Sequence, residues 1–290
     1  MPTKRSPSPD YRIPILNTPP DVGTYHDVPF DANDPRSSEP LVKLEDYGIA
    51  CENFYARDDG KNWPYNAPIE GATRHVWCRR AVAEKLVKIN QRLESIGTRV
   101  VVLDAYRSVA CQQGLWTFFD RQTQRDMPNA TAEERKQTML KIVSDPTRFN
   151  RDDPTTWPVH ACGGAVDVTL EEIASGHRLD MGGRFDELSP IVYTDAYERR
   201  YEDEEISETH PALVNRRILH QAMTREGFVN YPLEFWHFDF GDQMHVFHAQ
   251  ELRLADAPRS AWYGYTESPE PVEEICPLFI QVTLEYTQSR

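Results

Sequence analysis

The apolar positions between Arg79 and Ile96 repeat as Val82, Leu86, Ile89, Leu93 and Ile96. That four-three spacing predicts one buried face of a helix, and Gly97 stands where a left-handed residue would close it. The period then changes. TRVVVLDAYR, residues 98–107, predicts a buried strand ending near Asp104. Ser108 predicts the cap of a helix carrying Leu115, Trp116, Phe118 and Phe119. Thr131 and Glu134 have capping-box spacing and predict a helix reaching about Val143. Residues 164–170, GAVDVTL, predict a strand with Val166, Val168 and Leu170 on one side and Ala165, Asp167 and Thr169 on the other. Pro211 opens a predicted helix to Arg225, closed by Gly227. FVNYPLEFWHFDF, residues 228–240, reads as two short strands broken at Pro232. Ile280, Val282, Leu284 and Tyr286 alternate as a last half-buried strand. Helices first and strands later predict an α+β fold: a single domain with a central antiparallel sheet flanked by helices.

Two stretches lack any period. Nine prolines fall between Pro2 and Pro40, so residues 1–40 are expected to form an extended or partly disordered arm. DAYERRYEDEEISE, from Asp195 to Glu208, is a charge run and is expected to be a solvated loop or lid. The division expected is therefore an arm over 1–40, a main domain over 41–250 and an extension over 251–290 that ends in the last strand.

Composition narrows the partners. The chain has 290 residues, a formal charge of -14 and 39% hydrophobic residues, which is enough for a packed core. An acidic surface repels phosphate backbones and anionic lipid, so neither nucleic acid nor membrane is an expected partner. No stretch approaches the roughly 20 apolar residues of a membrane helix. The basic start of the chain is not followed by the apolar run of a signal peptide, so a cytoplasmic protein is expected. Cys51, Cys78, Cys111, Cys162 and Cys276 are scattered without a CxxC pair and read as reduced, mostly buried thiols.

Two of the nine histidines stand out. His160 precedes a glycine pair and the strand bearing Asp167. His237 lies in EFWHF, three residues after Glu234, within an aromatic run that should be buried. A buried carboxylate needs a counter-charge, and Asp167 has two candidates, Arg107 and a metal ion. His160, Asp167 and His237 make a three-ligand set that leaves zinc an open position for water, with Glu234 free as general base. The other reading is a satisfied core, with His160 hydrogen-bonded in a turn and Asp167 paired to an arginine. In an ideal strand Glu234 and His237 face opposite ways, so Glu234 reaches the same site only from an irregular segment ahead of the strand.

Four segments in order, DAYRS at 104–108, HACGGAVDVTL at 160–170, LDMGGRFDE at 179–187 and EFWHF at 234–238, resemble the D-alanyl-D-alanine dipeptidases of the VanX type within the zinc D,D-peptidases. NRR at 215–217 is similar to the same branch. The resemblance covers roughly residues 41–250. It implies one zinc ion per chain held by His160, Asp167 and His237, with Glu234 as general base and Arg107 steadying the oxygen of the tetrahedral intermediate. It further implies that Asp186 holds the free amine of a small peptide and that a tyrosine, here Tyr47, assists. The implied activity is hydrolysis of D-Ala-D-Ala or a similar peptide derived from peptidoglycan, and the fold leaves room for a homo-oligomer.

The departures are local. Pro158 stands where the family carries a serine two residues before the first histidine, which touches recognition of the substrate carboxylate. Ser108 replaces the proline that commonly follows Tyr-Arg. Cys162 sits between two ligand positions, where it is either a buried hydrophobe or a thiolate competing for metal. The alternatives are a D,D- or L,D-carboxypeptidase acting on murein peptides and a non-catalytic zinc-binding interaction domain of the hedgehog kind. Retention of both Glu234 and Arg107 disfavours the latter, because a structural zinc needs neither. A facial-triad iron oxygenase is disfavoured by the gap between His160 and Asp167.

Overall fold

The computed structural model describes residues 10–16, 24–140 and 142–271. Two short strands near the start, β1 (Leu41–Lys43) and β2 (Ala50–Cys51), lead to β3 (Trp77–Arg79) and helix α1 (Arg80–Leu93). α1 buries Val82, Leu86, Ile89 and Leu93, the stripe predicted by the spacing, and Gly97 closes the turn after it at φ 75°. Next come β4 (Thr98–Asp104), α2 (Val109–Asp126) and α3 (Ala132–Met139). The Ser108 side chain caps α2 by accepting from the Cys111 amide. The Thr131–Glu134 capping box is formed, but α3 stops at Met139, short of Val143. Pro146 follows closely and disfavours helical backbone at the residue before it.

The second half supplies β5 (Val166–Glu172), α4 (Ala196–Glu202), α5 (Pro211–Thr224), β6 (Val229–Asn230), β7 (His237–Asp239) and α6 (Gln243–Glu251). The main sheet has the order β2-β4-β5-β7-β6. Its pairs are antiparallel except at the edge, where β2 runs parallel to β4. The long connection from β2 to β4, which contains α1, is what permits that parallel addition. β1 and β3 form a separate antiparallel pair.

One face of the sheet packs Val100, Val102, Val166, Val168 and Leu170 against α1 and against Leu219 and Met223 of α5. On the other, Leu103 joins a second cluster with Tyr55, Tyr65, Leu115, Phe119 and Met139. A bulge between Val102 and Asp104 shifts the register, so that Asp104 pairs with Asp167, and Asp167 in turn pairs with His237. Directly paired residues project from the same face, so three adjacent strands present a polar row.

The charge run departs from expectation. Ala196–Glu202 is helical and Glu198 is only 2% exposed. Its two oxygens accept from Arg217 at 2.6 Å each, and one also accepts from the Ile13 amide at 2.9 Å. Part of the run is thus an internal anchor with its charge compensated. It ties down the described part of the arm, where Ile13 is buried and Tyr11 meets His220 at 2.6 Å. At the other end Glu270 accepts from the amides of Arg74 and His75 and from the Trp77 indole. The strand expected over Ile280–Tyr286 lies outside the described residues, as does Cys276. Among the described residues, no helix is long and apolar enough to cross a membrane.

Candidate metal centre and active site

His160 lies in a helical turn, Val159–Cys162, that ends at Gly163 with φ 75°. Arg79 holds this turn, its Nε donating to the Cys162 carbonyl at 2.8 Å. The His160 ring is fixed by Nδ1, 2.7 Å from the Ala105 carbonyl oxygen. A carbonyl only accepts, so Nδ1 carries the proton, and burial lowers the ring pKa to about 3, which keeps it neutral. Its bare Nε2 then faces Asp167 Oδ2 at 3.5 Å. His237 opens β7 and points Nδ1 at Asp167 Oδ1, 3.0 Å away, while its Nε2 lies 2.9 Å from Asp239 Oδ1.

One ligand atom from each of His160, Asp167 and His237 lies within 4.8 Å of the others, and all three residues are buried. Burial opposes ionisation of Asp167, yet His160, His237 and Arg107 together hold its carboxyl below the usual range. Burial likewise opposes the His237 cation, but Asp239 and Asp167 raise its pKa well above the ordinary value. The sheet has therefore drawn a bare imidazole nitrogen and a carboxylate to within contact, acceptor against acceptor, beside a second imidazole.

Glu234 sits in the turn between β6 and β7, ahead of the strand, where it escapes the alternation that would send it to the far face. Its Oε2 lies 3.9 Å from His237 Nδ1. Burial, with Asp167 and Asp186 nearby, pushes its carboxyl up to about 7, although 36% of the side chain still meets solvent. The turn is clipped from behind. Asn230 Nδ2 donates to the carbonyls of Glu234 at 3.1 Å and His237 at 2.9 Å, and Thr194 Oγ1 donates to Asn230 Oδ1 at 2.6 Å.

Arg107 follows β4. Its guanidinium donates to Asp104 at 2.9 Å, to the Tyr55 hydroxyl at 3.2 Å and, at a long 3.4 Å, to Asp167. The Tyr55 hydroxyl donates onward to Asp186 at 3.0 Å, as does that of Tyr65. Asp186 adopts left-handed backbone at φ 58°, and burial pushes its carboxyl up to about 7.

Residues 69–255 match the profile described as D-ala-D-ala dipeptidase. A D-alanyl-D-alanine dipeptidase of Synechocystis is 30% identical over 78% of this chain and 95% of its own length. The chain belongs to the D-Ala-D-Ala dipeptidase family. A Streptomyces coelicolor member is 26% identical, covering 68% of this chain and 89% of that protein. Among solved structures, VanYB in complex with D-alanine-D-alanine aligns with a TM-score of 0.33 at 15% identity, over 68% of this chain and 92% of that one.

Within this family member, the residues expected from sequence assemble as one group, with one correction. Tyr47 ends the turn Leu44–Tyr47 and packs half-buried against the main core. The phenols that reach the group are Tyr55 and Tyr65. Tyr55 lies further along the chain than Tyr47, directly after Asn53-Phe54. The structure adds Asp104, Asn230 and Asp239 to the group. Asp239 had a legible signal, because two positions along a strand from His237 is the same face. Cys162 lies in the core with its thiol directed at the Pro158 carbonyl, 3.7 Å away, and burial raises its pKa far above the usual range. That makes it a buried hydrophobe rather than a thiolate ligand.

Proposed function

We propose that this chain is a zinc-dependent dipeptidase that hydrolyses D-alanyl-D-alanine or a similar small dipeptide with a free amine. The supporting observation is the bare His160 Nε2 set 3.5 Å from Asp167 Oδ2, with His237 Nδ1 beside the same carboxylate. Such a set is satisfied by a cation, and two histidines with one carboxylate match zinc with an open position. When bound, zinc supplies a Lewis acid that polarises the scissile carbonyl and lowers the pKa of water towards about 7.

The remaining steps belong to the protein. Glu234 accepts a proton from the attacking water as its oxygen bonds to the carbonyl carbon. It then delivers that proton to the leaving nitrogen as the C–N bond breaks, giving two amino acids. Arg107 donates to the oxygen on which negative charge grows, and its fixed contacts with Asp104 and Tyr55 keep it aimed. Asp186 accepts from the substrate ammonium, which selects peptides whose amine lies one residue from the cleaved bond.

Purified chain should contain one zinc per molecule and release D-alanine from D-Ala-D-Ala. Glu234→Ala should keep the zinc and lose activity by orders of magnitude. Trimming of a murein pentapeptide without cleavage of the dipeptide would instead establish a D,D-carboxypeptidase.

A further inference from the structure

We propose that Asp239 is a positioning residue that sets which nitrogen of His237 faces the metal and raises the basicity of that nitrogen. The inference rests on the metal site proposed above. His237 and Asp239 lie two apart on β7, and Asp239 is fixed in the ladder opposite Val229 of β6. Asp239 Oδ1 is 2.9 Å from His237 Nε2. Both His237 nitrogens face carboxylates, Nδ1 that of Asp167 and Nε2 that of Asp239; a carboxylate accepts, so Asp239 keeps the proton on Nε2 when a cation replaces the one on Nδ1.

The setting gives Asp239 no other evident use. It is 0% exposed, and Oδ2 has no hydrogen-bond partner among the described residues. A buried carboxylate with one unsatisfied oxygen works against folding. Among the described residues, its one side-chain hydrogen bond is with His237.

The two histidines are oriented by different acceptors. His160 leans on the neutral Ala105 carbonyl, while His237 leans on a charge. A charged acceptor polarises its imidazole more strongly and makes the opposite nitrogen the better ligand. His237 Nδ1 also lies 3.9 Å from Glu234 Oε2, so its orientation governs where the metal sits relative to that carboxylate.

The test uses the full chain, stripped of metal and titrated with zinc against a chromophoric chelator. Asp239→Asn keeps an acceptor atom and removes the charge, and Asp239→Leu removes both. We expect zinc affinity to fall about 10–100-fold in D239N and at least as far in D239L. Metal-free D239N should melt close to the metal-free parent, because Asp167 still faces the His237 ring and the buried ring can shed its proton. Parental zinc affinity in D239N overturns the assignment. A drop in the melting temperature of metal-free D239N as large as that of a core truncation also overturns it, since Asp239 then serves packing. D239N, close to isosteric, decides the matter if D239L does not fold. A parent chain that takes up no zinc refutes the metal reading itself, a result distinct from unequal parent and variant affinities.

Discussion

Among the described residues, Asp186 meets two phenols and no cation within hydrogen-bonding reach, and burial has pushed its carboxyl up to about 7. Hydroxyl donors orient a carboxylate without neutralising it, which suits a group waiting for an ammonium. A hydrogen bond to a charged group is worth about 1.5–3 kcal/mol. Asp186→Asn should therefore raise KM for a dipeptide by roughly one to two orders of magnitude, with little change in zinc content. The pH dependence has a definite sign. The binding form is the carboxylate, present above the raised pKa and lost as pH falls through about 7, so KM should climb on the acid side. The asparagine variant should lack that limb, and a variant KM equal to the parent's would remove Asp186 from the binding role. At this scale the sequence was readable where chemistry is local. His160 and Asp167 share one motif, and Glu234 and His237 share another. Tyr55 and Tyr65 were not readable, because a phenol's role depends on which carboxylate folding brings to it.

The turn from Tyr231 to Trp236 carries Glu234, and its shape is imposed by neighbours. Asn230 binds the carbonyls at both ends of the useful segment, and the Phe235 amide donates to the Val192 carbonyl at 3.0 Å. The Thr194 amide also donates to the Pro232 carbonyl at 2.9 Å, so residues 192–194 clip the turn. Asn230→Ala removes both side-chain bonds to the turn. Misplacement of a catalytic group by about 1 Å can cost on the order of 100-fold. We expect kcat to fall about 10–100-fold while zinc affinity stays near the parent's; an unchanged kcat would show that backbone contacts alone hold the turn. Elements with one apolar stripe, such as α1, were legible from spacing. α6 was not, because its buried positions include Gln243, His245 and His248, and a polar buried face leaves no stripe. The helix α4 was hidden for a related reason: the acidic residue that anchors it looks in sequence like its solvated neighbours.

Across the whole molecule, the fold exists to set Asp104, Asp167 and His237 in a row across three strands, and that row depends on a single bulge in β4. Periodicity predicted the strands, but neither the bulge nor the parallel edge strand β2, since register is decided by tertiary pairing. The arm is joined to this body through Glu198, which serves Arg217 and the Ile13 amide together. Arg217 is 8% exposed, so Glu198→Ala leaves a buried cation deprived of its main partner, a loss of about 3–5 kcal/mol. Melting temperature should fall on the order of 10 °C, at a few degrees per kcal/mol for a chain of this size. An unchanged melting temperature would show that the arm and α4 add nothing to the folded body. Binding that is confined to the folded chain adds about 4 kcal/mol when the free ion is 1,000 times its dissociation constant. Zinc should then raise the melting temperature by roughly 10 °C and chelation should reverse it. His160→Ala should abolish the difference between the two conditions. A zinc shift that persists undiminished in that variant would place the metal elsewhere in the chain.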